Sequence, residues 1–147
     1  MTTMTIGTTK ASLPKGPDQR GWYWGTGRRK TATARVRVKP GTGEFLINER
    51  PMDEYFLEDR DRKAILGVLD KTGQRNKMDV RATCAGGGFT GQAGAVVMGL
   101  ARSLFAFDHG LEPALREHGL LTRDARKVER KKPGQAGARR RFQFSKR

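Results

Sequence analysis

The last 22 residues cannot join a hydrophobic core, and this limits the chain to one domain followed by a tail. Between Arg126 and Arg147 there are ten basic residues, one acidic residue and almost no aliphatic side chain beyond Val128. Such a segment cannot offset the entropy lost on folding, so we expect it to be extended or disordered until a partner orders it. The residues before it are nearly balanced in charge and carry most of the apolar side chains.

The partner of this chain should be strongly anionic. Its 147 residues include 30 Lys and Arg against 15 Asp and Glu, which gives a formal charge of +15. A charge of this size attracts polyanions and repels itself in a compact state. The length allows one core of ordinary size but not two.

Composition divides the chain into three parts. Residues 1–21 are rich in Thr, Lys, Gly and Pro and are predicted to be a disordered leader, residues 22–122 a compact domain, and residues 123–147 a basic tail. We find no apolar stretch long enough for a membrane span or a signal peptide, and one cysteine, Cys84, agrees with a reducing compartment. We therefore expect a protein that stays inside the cell, without membrane contact.

Alternation of apolar and polar residues predicts the strands. In Lys30–Lys39 every second residue is apolar, which is typical of a half-buried strand whose other face is basic. The turn residues PGTG follow, and Glu44–Asn48 is predicted to return beside the first strand as a hairpin. Met78–Cys84 alternates in the same way and predicts a further strand.

Helical periodicity predicts the remaining elements. We expect short helices over 52–57 and 61–71, the second ended by Gly73, and a helix over 112–118. A long helix capped by Thr90 carries a buried stripe at helical spacing, and its many small residues favour close approach to a neighbouring backbone. The stripe consists of Val96, Leu100, Leu104 and Phe107. The fold class is α+β, a mixed sheet with helices packed on one face.

Two features are open to more than one interpretation. Trp22, Tyr23 and Trp24 could stack on nucleic-acid bases, although covering a sheet edge is the commoner use of such residues. Gly86, Gly87 and Gly88 before the long helix could form a tight turn or bind a phosphate of RNA through backbone amides. A nucleotide-binding loop is disfavoured because the glycine and lysine patterns of such loops are missing.

The sequence offers no convergent catalytic set. His109 and His118 have no further ligand residues nearby for a metal, and Ser145 has no histidine to activate it. We therefore predict no enzyme activity, no cofactor and no metal site. The tail, in contrast, places Phe142 and Phe144 between Arg141 and Lys146, so that aromatic faces can stack while cations meet phosphates.

Three ordered blocks stand out in the sequence: GTGRRKTATARV at 25–36, GGGFTGQAGAVVMGLARSL at 86–104 and LTRDARKVERKKPGQAGARRRFQFSKR at 121–147. Together they closely resemble the family of protein nine of the small ribosomal subunit. The resemblance implies the fold of the second domain of ribosomal protein five, a place in the head of the cytoplasmic small subunit, and a structural role in translation. It also implies that the tail reaches the transfer RNA in the peptidyl site.

The resemblance further implies contact residues and neighbours. Those implied for ribosomal RNA are Arg28, Arg29, Lys30, Arg35, Arg37, Gly86, Gly87, Gly88, Gln92, Arg102, Arg123, Arg126, Lys127, Arg130, Lys131, Lys132, Arg139, Arg140 and Arg141. Those implied for peptidyl-site transfer RNA are Ser145, Lys146 and Arg147. Small-subunit proteins seven, ten and fourteen are the implied protein neighbours.

The chain departs from the family pattern at four positions. Val97, Gln135 and Ala136 stand where basic residues are frequent, and Ala125 replaces a frequent proline. These changes weaken individual contacts rather than the resemblance.

Two other functions compete with the role in the small ribosomal subunit: an enzyme that acts on phosphorylated substrates through the glycine loop, and a general nucleic-acid chaperone.

Overall fold

The computed structural model describes residues 15–145, so residues 1–14 of the predicted leader and Lys146 and Arg147 of the tail lie outside the described part. The elements, in chain order, are β1 (Tyr23–Arg29), β2 (Ala32–Pro40), β3 (Phe45–Ile47), β4 (Arg50–Pro51), α1 (Met52–Tyr55), α2 (Asp59–Thr72), β5 (Met78–Ala85), α3 (Phe89–Phe107), a single 3-10 turn (His109–Leu111) and α4 (Glu112–Glu117). The predicted α+β class is confirmed. None of the helices in 15–145 is both long enough and apolar enough to cross a membrane.

Within the described residues the strands form one mixed sheet in the order β1-β2-β5-β3-β4. β2 pairs antiparallel with both β1 and β5, and β3 runs parallel to β5. The inward residues of β2 and β5 are the apolar ones, and they pack against α3 on one face of the sheet. The opposite face carries no helix among the described elements.

The predicted hairpin between β2 and the strand that follows it is wrong. β2 is already paired on both sides, and β3 lies beyond β5. The physical reason is the Asp79 carboxylate on β5, whose Oδ1 accepts hydrogen bonds from the amides of Thr42, Gly43 and Glu44 at 2.8, 3.0 and 3.1 Å. The PGTG stretch therefore wraps around Asp79 instead of making a tight turn, and these bonds lower the pKa of Asp79 although burial opposes them.

β1 packs directly on α3 because both elements carry glycine where they meet. A Cβ added at Gly99 would lie 2.8 Å from Cγ2 of Val36 and 3.1 Å from the amide of Gly27, and one at Gly27 would overlap the carbonyl of Ala95. The predicted close approach by small residues of the long helix is therefore confirmed.

The predicted end of α2 and most of the predicted stripe of α3 are confirmed, and the predicted cap of α3 is wrong. α2 ends at Gly73, whose φ of 67° is left-handed, and Val96, Leu100 and Leu104 of the predicted stripe are fully buried. Thr90, however, does not cap α3. Gly88 is the extended residue before the helix and makes no side-chain capping bond, and Thr90 already lies inside the first turn.

The aromatic run at 22–24 lies at the start of the edge strand β1. Trp22 is buried, and Tyr23 packs edge to face against Phe107 with ring centroids 5.3 Å apart. Trp24 is 41 % exposed. After α4, residues 118–145 contain turns and one isolated bridge between Gln135 and Arg141 but no helix and no longer strand.

Candidate nucleic-acid interface

The turn between β1 and β2 presents three consecutive cations. Arg29 pairs with Ala32 across the hairpin, so Lys30 and Thr31 form a two-residue turn in which Lys30 adopts a φ of 52°. Arg28 and Lys30 are exposed, whereas Arg29 is half-buried. The side chain of Arg29 lies across Gly94 of α3, where a Cβ would collide with it. The turn is thereby attached to the helix.

The glycine loop lies directly beside this turn. Gly86 and Gly87 have φ values of 73° and 65°, which favour glycine. A Cβ on Gly86 would come within 2.8 Å of the Thr31 carbonyl, so the loop and the turn touch. All three glycines are exposed, and the first amides of α3 follow them without a side-chain cap. The positive end of a 19-residue helix therefore faces solvent next to three cations.

Hydrogen bonds connect the glycine loop, through Gln92, to Tyr55 and Asn48. Gln92 donates from Nε2 to the Gly86 carbonyl at 3.0 Å and accepts from the Tyr55 hydroxyl at 2.6 Å. Asn48 donates to the Tyr55 hydroxyl and to the Cys84 carbonyl, both at 3.2 Å. Gln92, predicted to contact RNA, thus uses both ends of its amide inside the protein, where it positions the loop.

The first residues of the tail complete this corner of the molecule. Arg123 donates to the Lys30 carbonyl at 3.4 Å, and the Arg29 guanidinium forms an ion pair of 3.8 Å with Asp124. A cleft of about 280 Å³ opens between the hairpin, α3 and the tail. Val97 lines it beside Arg28. We define the corner surface as the described groups that meet here, namely Arg28, Arg29, Lys30, Gly86, Gly87, Gly88 and Arg123.

Arg126 forms an ion pair with Asp124 within the tail. Its Nε and Nη2 donate to the two oxygens of Asp124 at 3.0 to 3.1 and 2.7 Å. These bonds, with the backbone amide of Arg126, lower the pKa of Asp124 to about 2. Asp124 therefore stays ionised at neutral pH and holds both Arg29 and Arg126.

Further along the tail, Glu129 organises a turn. Arg139 donates two nearly parallel bonds to it, from Nε at 3.0 Å and from Nη2 at 2.8 Å, and the Lys132 ammonium lies 4.0 Å away. A two-pronged arginine–carboxylate pair fixes geometry as well as charge. The remaining predicted tail cations are exposed: Lys127, Arg130, Lys131, Arg140 and Arg141.

The open face of the sheet forms a separate basic surface. The guanidinium carbon of Arg37 lies 5.1 Å from the Trp22 ring centroid and 5.3 Å from that of Trp24, and the ammonium of Lys39 lies 4.6 Å from Trp22. Arg35 and Arg37 are therefore not part of the corner surface. The contribution of Lys39 and Arg81 was missed, because their proximity to Trp22 depends on strand order and register.

One family model matches the chain. It is described as Ribosomal protein S9/S16 and covers residues 27–147. The chain belongs to this family. The S9/S16 family is a structural, non-enzymatic family of the small ribosomal subunit that binds ribosomal RNA, so the predicted place in the small subunit and the predicted role in translation are confirmed.

The residues that match the S9/S16 family model include every residue of the corner surface. All predicted RNA-contacting residues, from Arg28 to Arg147, lie within residues 27–147. Trp22 and Trp24 lie before them. Ser145 is exposed at the end of the described chain, and the two residues after it lie outside the described part.

Proposed function

We propose that this S9/S16 protein binds small-subunit ribosomal RNA at two places, the corner surface and the tail. The observation that carries the proposal is the convergence of three segments that are far apart in the sequence. The hairpin turn, the glycine loop and Arg123 touch one another through the contacts described above. Each contributes groups that bind phosphate: guanidinium forks, an ammonium and free helix-terminal amides.

Rigidity supports this use of the corner surface. The loop is held by Gln92, the hairpin by the packing of Arg29 on α3, and the tail by Asp124. Cations that are fixed before binding lose less entropy when they meet a folded RNA. The mechanism is binding and charge neutralisation, without bond chemistry.

In the tail, the acidic residues shape the segment and the exposed cations meet the RNA. Arg126 and Arg139 hold Asp124 and Glu129, which sets the path of the chain. The exposed cations Lys127, Arg130, Lys131, Arg140 and Arg141 meet phosphates that would otherwise repel one another. If about half of the ten cations in 126–147 pair with phosphates, removal of the tail lowers the salt-dependence slope of RNA binding by roughly four. An unchanged slope would refute the role of the tail.

The finer proposal concerns the location of the domain and of the tail end. We propose that the domain shares the fold of the second domain of ribosomal protein five and lies in the head of the subunit beside proteins seven, ten and fourteen. Ser145, Lys146 and Arg147 then contact the transfer RNA in the peptidyl site. The support is the family match, which extends to the last residue, and the exposed position of Ser145.

A charge-removing variant of the tail end tests this finer proposal. We expect subunits that carry Lys146→Gln and Arg147→Gln to assemble normally but to lose peptidyl-site transfer RNA faster than wild type. Filter binding of transfer RNA to purified subunits measures the loss. The control is Lys63→Gln with Lys71→Gln, which removes two exposed cations from α2. Transfer RNA retention equal to wild type, or an assembly defect alone, would refute the terminal contact.

A further inference from the structure

A second cleft lies along the outer edge of β1, away from the corner surface. Its volume is about 820 Å³, and it separates residues 15–18 from α3. Its lining includes the aromatic residues Trp24 and Phe105, the cations Lys15, Arg35 and Arg102, and the carboxylate of Asp18. Three cations against one carboxylate, together with an exposed aromatic ring, make the cleft suited to an anionic ligand that has a flat group.

Trp24 is both accessible and fixed. Its side chain is 41 % exposed, and its Nε1–H donates to Oδ2 of Asp18 at 2.9 Å. The other carboxylate oxygen of Asp18 accepts from the amides of Arg20 and Trp22, each at 2.9 Å. The orientation of the indole is therefore set before any ligand arrives, which reduces the entropy cost of binding.

Trp22 is far less accessible than Trp24. Trp22 is 6 % exposed, and its ring is covered by Arg37, Lys39 and Arg81. It has no free face on which a base could stack. The guanidinium carbons of Arg35 and Arg37 also lie over the Trp24 ring, 5.4 and 5.3 Å from its centroid. Because the Trp24 side chain is 41 % exposed, part of the ring stays accessible next to this positive charge.

Arg102 occupies one backbone acceptor on the edge of β1. The Nη1 of Arg102 donates to the Thr26 carbonyl at 2.9 Å and so occupies an acceptor that a partner strand would need. The same guanidinium lines the cleft. The three cations of the cleft favour a nucleic acid over a protein strand as the occupant.

We propose that an unpaired nucleotide of RNA docks in this cleft, with its base stacked on Trp24 and its phosphates on Arg35 and Arg102. A base within a helix is already stacked on its neighbours, so the ligand is a bulge, a loop or a single strand. This inference rests on the proposed binding of small-subunit RNA and names the class of RNA segment at one more site. Asp18 is the positioning residue for Trp24.

The test uses the full chain and two probes, a ten-nucleotide oligouridylate and a blunt-ended RNA duplex of the same length, in which every base is paired. Raised salt weakens phosphate contacts of the tail but affects stacking less. Under these conditions, we expect Trp24→Ala to lower affinity for oligouridylate by about five- to one-hundred-fold, the range that loss of one base–aromatic stack produces. Affinity for the duplex should change less than about twofold.

Conservative variants separate stacking from folding. Trp24→Phe keeps a ring and should retain most of the affinity, whereas Asp18→Asn frees the indole and should lower it. Arg35→Gln should lower the salt-dependence slope by about one for the single-stranded probe. Arg116→Gln, an exposed arginine on α4 paired with Glu112, is the matched control and should change neither quantity.

The measurements distinguish failure of this inference from failure of the proposed function. Quenching of tryptophan fluorescence by oligouridylate should disappear in Trp24→Ala, since Trp22 is covered. If Trp24→Ala and Trp24→Phe both bind oligouridylate as wild type does, while all three bind small-subunit RNA, this inference is wrong and the proposed function stands. If the wild-type protein binds no small-subunit RNA, both are wrong.

Discussion

Arg29 and Asp124 form an ion pair of 3.8 Å that joins the β1–β2 hairpin to the beginning of the tail. The two residues are 95 positions apart, yet each belongs to a segment that the sequence marks as basic. Because Arg29 also lies across Gly94, the pair connects the tail to α3. The tail therefore leaves the domain in a defined direction, beside the glycine loop.

Asp124→Asn should release the base of the tail. The substitution removes the negative charge that holds Arg29 and Arg126, so residues around Ala125 should become more mobile. The measurement is the heteronuclear NOE of the Ala125 amide, which we expect to fall while the amides of β2 stay unchanged. Glu117→Gln, at an exposed carboxylate on α4, is the control. An equal NOE in wild type and Asp124→Asn would contradict this role of the ion pair.

The Asp124 carboxyl should titrate near pH 2. Hydrogen bonds from Arg126 lower its pKa from the ordinary value of 3.8 to about 2. Because the pKa is lower in the folded state, the stabilising contact is complete above about pH 3.8 and is lost as the pH falls through about 2. The side-chain carbon shift measures the midpoint. In Arg126→Gln the midpoint should return toward the ordinary value, and a wild-type midpoint near 3.8 would refute the contact.

Gly27→Ala should destabilise the domain by about 1 to 3 kcal/mol or more, the cost of overpacking a well-packed contact. The new methyl group would collide with the Ala95 carbonyl and force β1 away from α3. The free energy of unfolding in urea measures the change. Gly67→Ala in α2 is the matched control. No heavy atom lies within 4 Å of its added Cβ, so it should stabilise the helix by about 0.5 to 1 kcal/mol. Equal stability of the two variants would contradict the packing.

Cys84 should react slowly with iodoacetamide at pH 8 in the native protein. Burial raises the pKa of its thiol from 9.0 to about 11, so the reactive thiolate is about 100-fold scarcer than in the unfolded chain. Alkylation followed by mass spectrometry gives the rate. The same protein in denaturant provides the reference rate. A native rate within about threefold of the reference would place Cys84 at the surface.

The sequence predicted elements whose pattern matches their burial. β2, β5 and the stripe of α3 alternate or repeat as buried faces do, because each contacts the core through its own side chains. β1 was missed for the opposite reason. Its inward positions Gly25 and Gly27 pack backbone against helix, so the strand carries no apolar alternation.

The sequence predicts which residues form the corner surface, but it does not predict that they meet at one place. Basic and glycine-rich segments are visible in the sequence, whereas their meeting at one corner depends on sheet order and on the hydrogen bond from Arg123 to Lys30. The contacts among Trp24, Arg35 and Asp18 depend on register and on a turn. These contacts join residues that have no regular spacing in the sequence, so periodicity cannot reveal them.

The salt dependence of binding to small-subunit ribosomal RNA tests whether the corner surface binds RNA. The variant Arg28→Gln/Lys30→Gln/Arg123→Gln removes three cations of the corner surface, and Lys63→Gln/Lys71→Gln/Lys77→Gln removes three exposed cations elsewhere. We predict that the corner variant lowers the slope of log binding constant against log salt by about two to three, while the control variant leaves it unchanged. Equal slopes for the two variants would contradict the corner surface as an RNA-binding site.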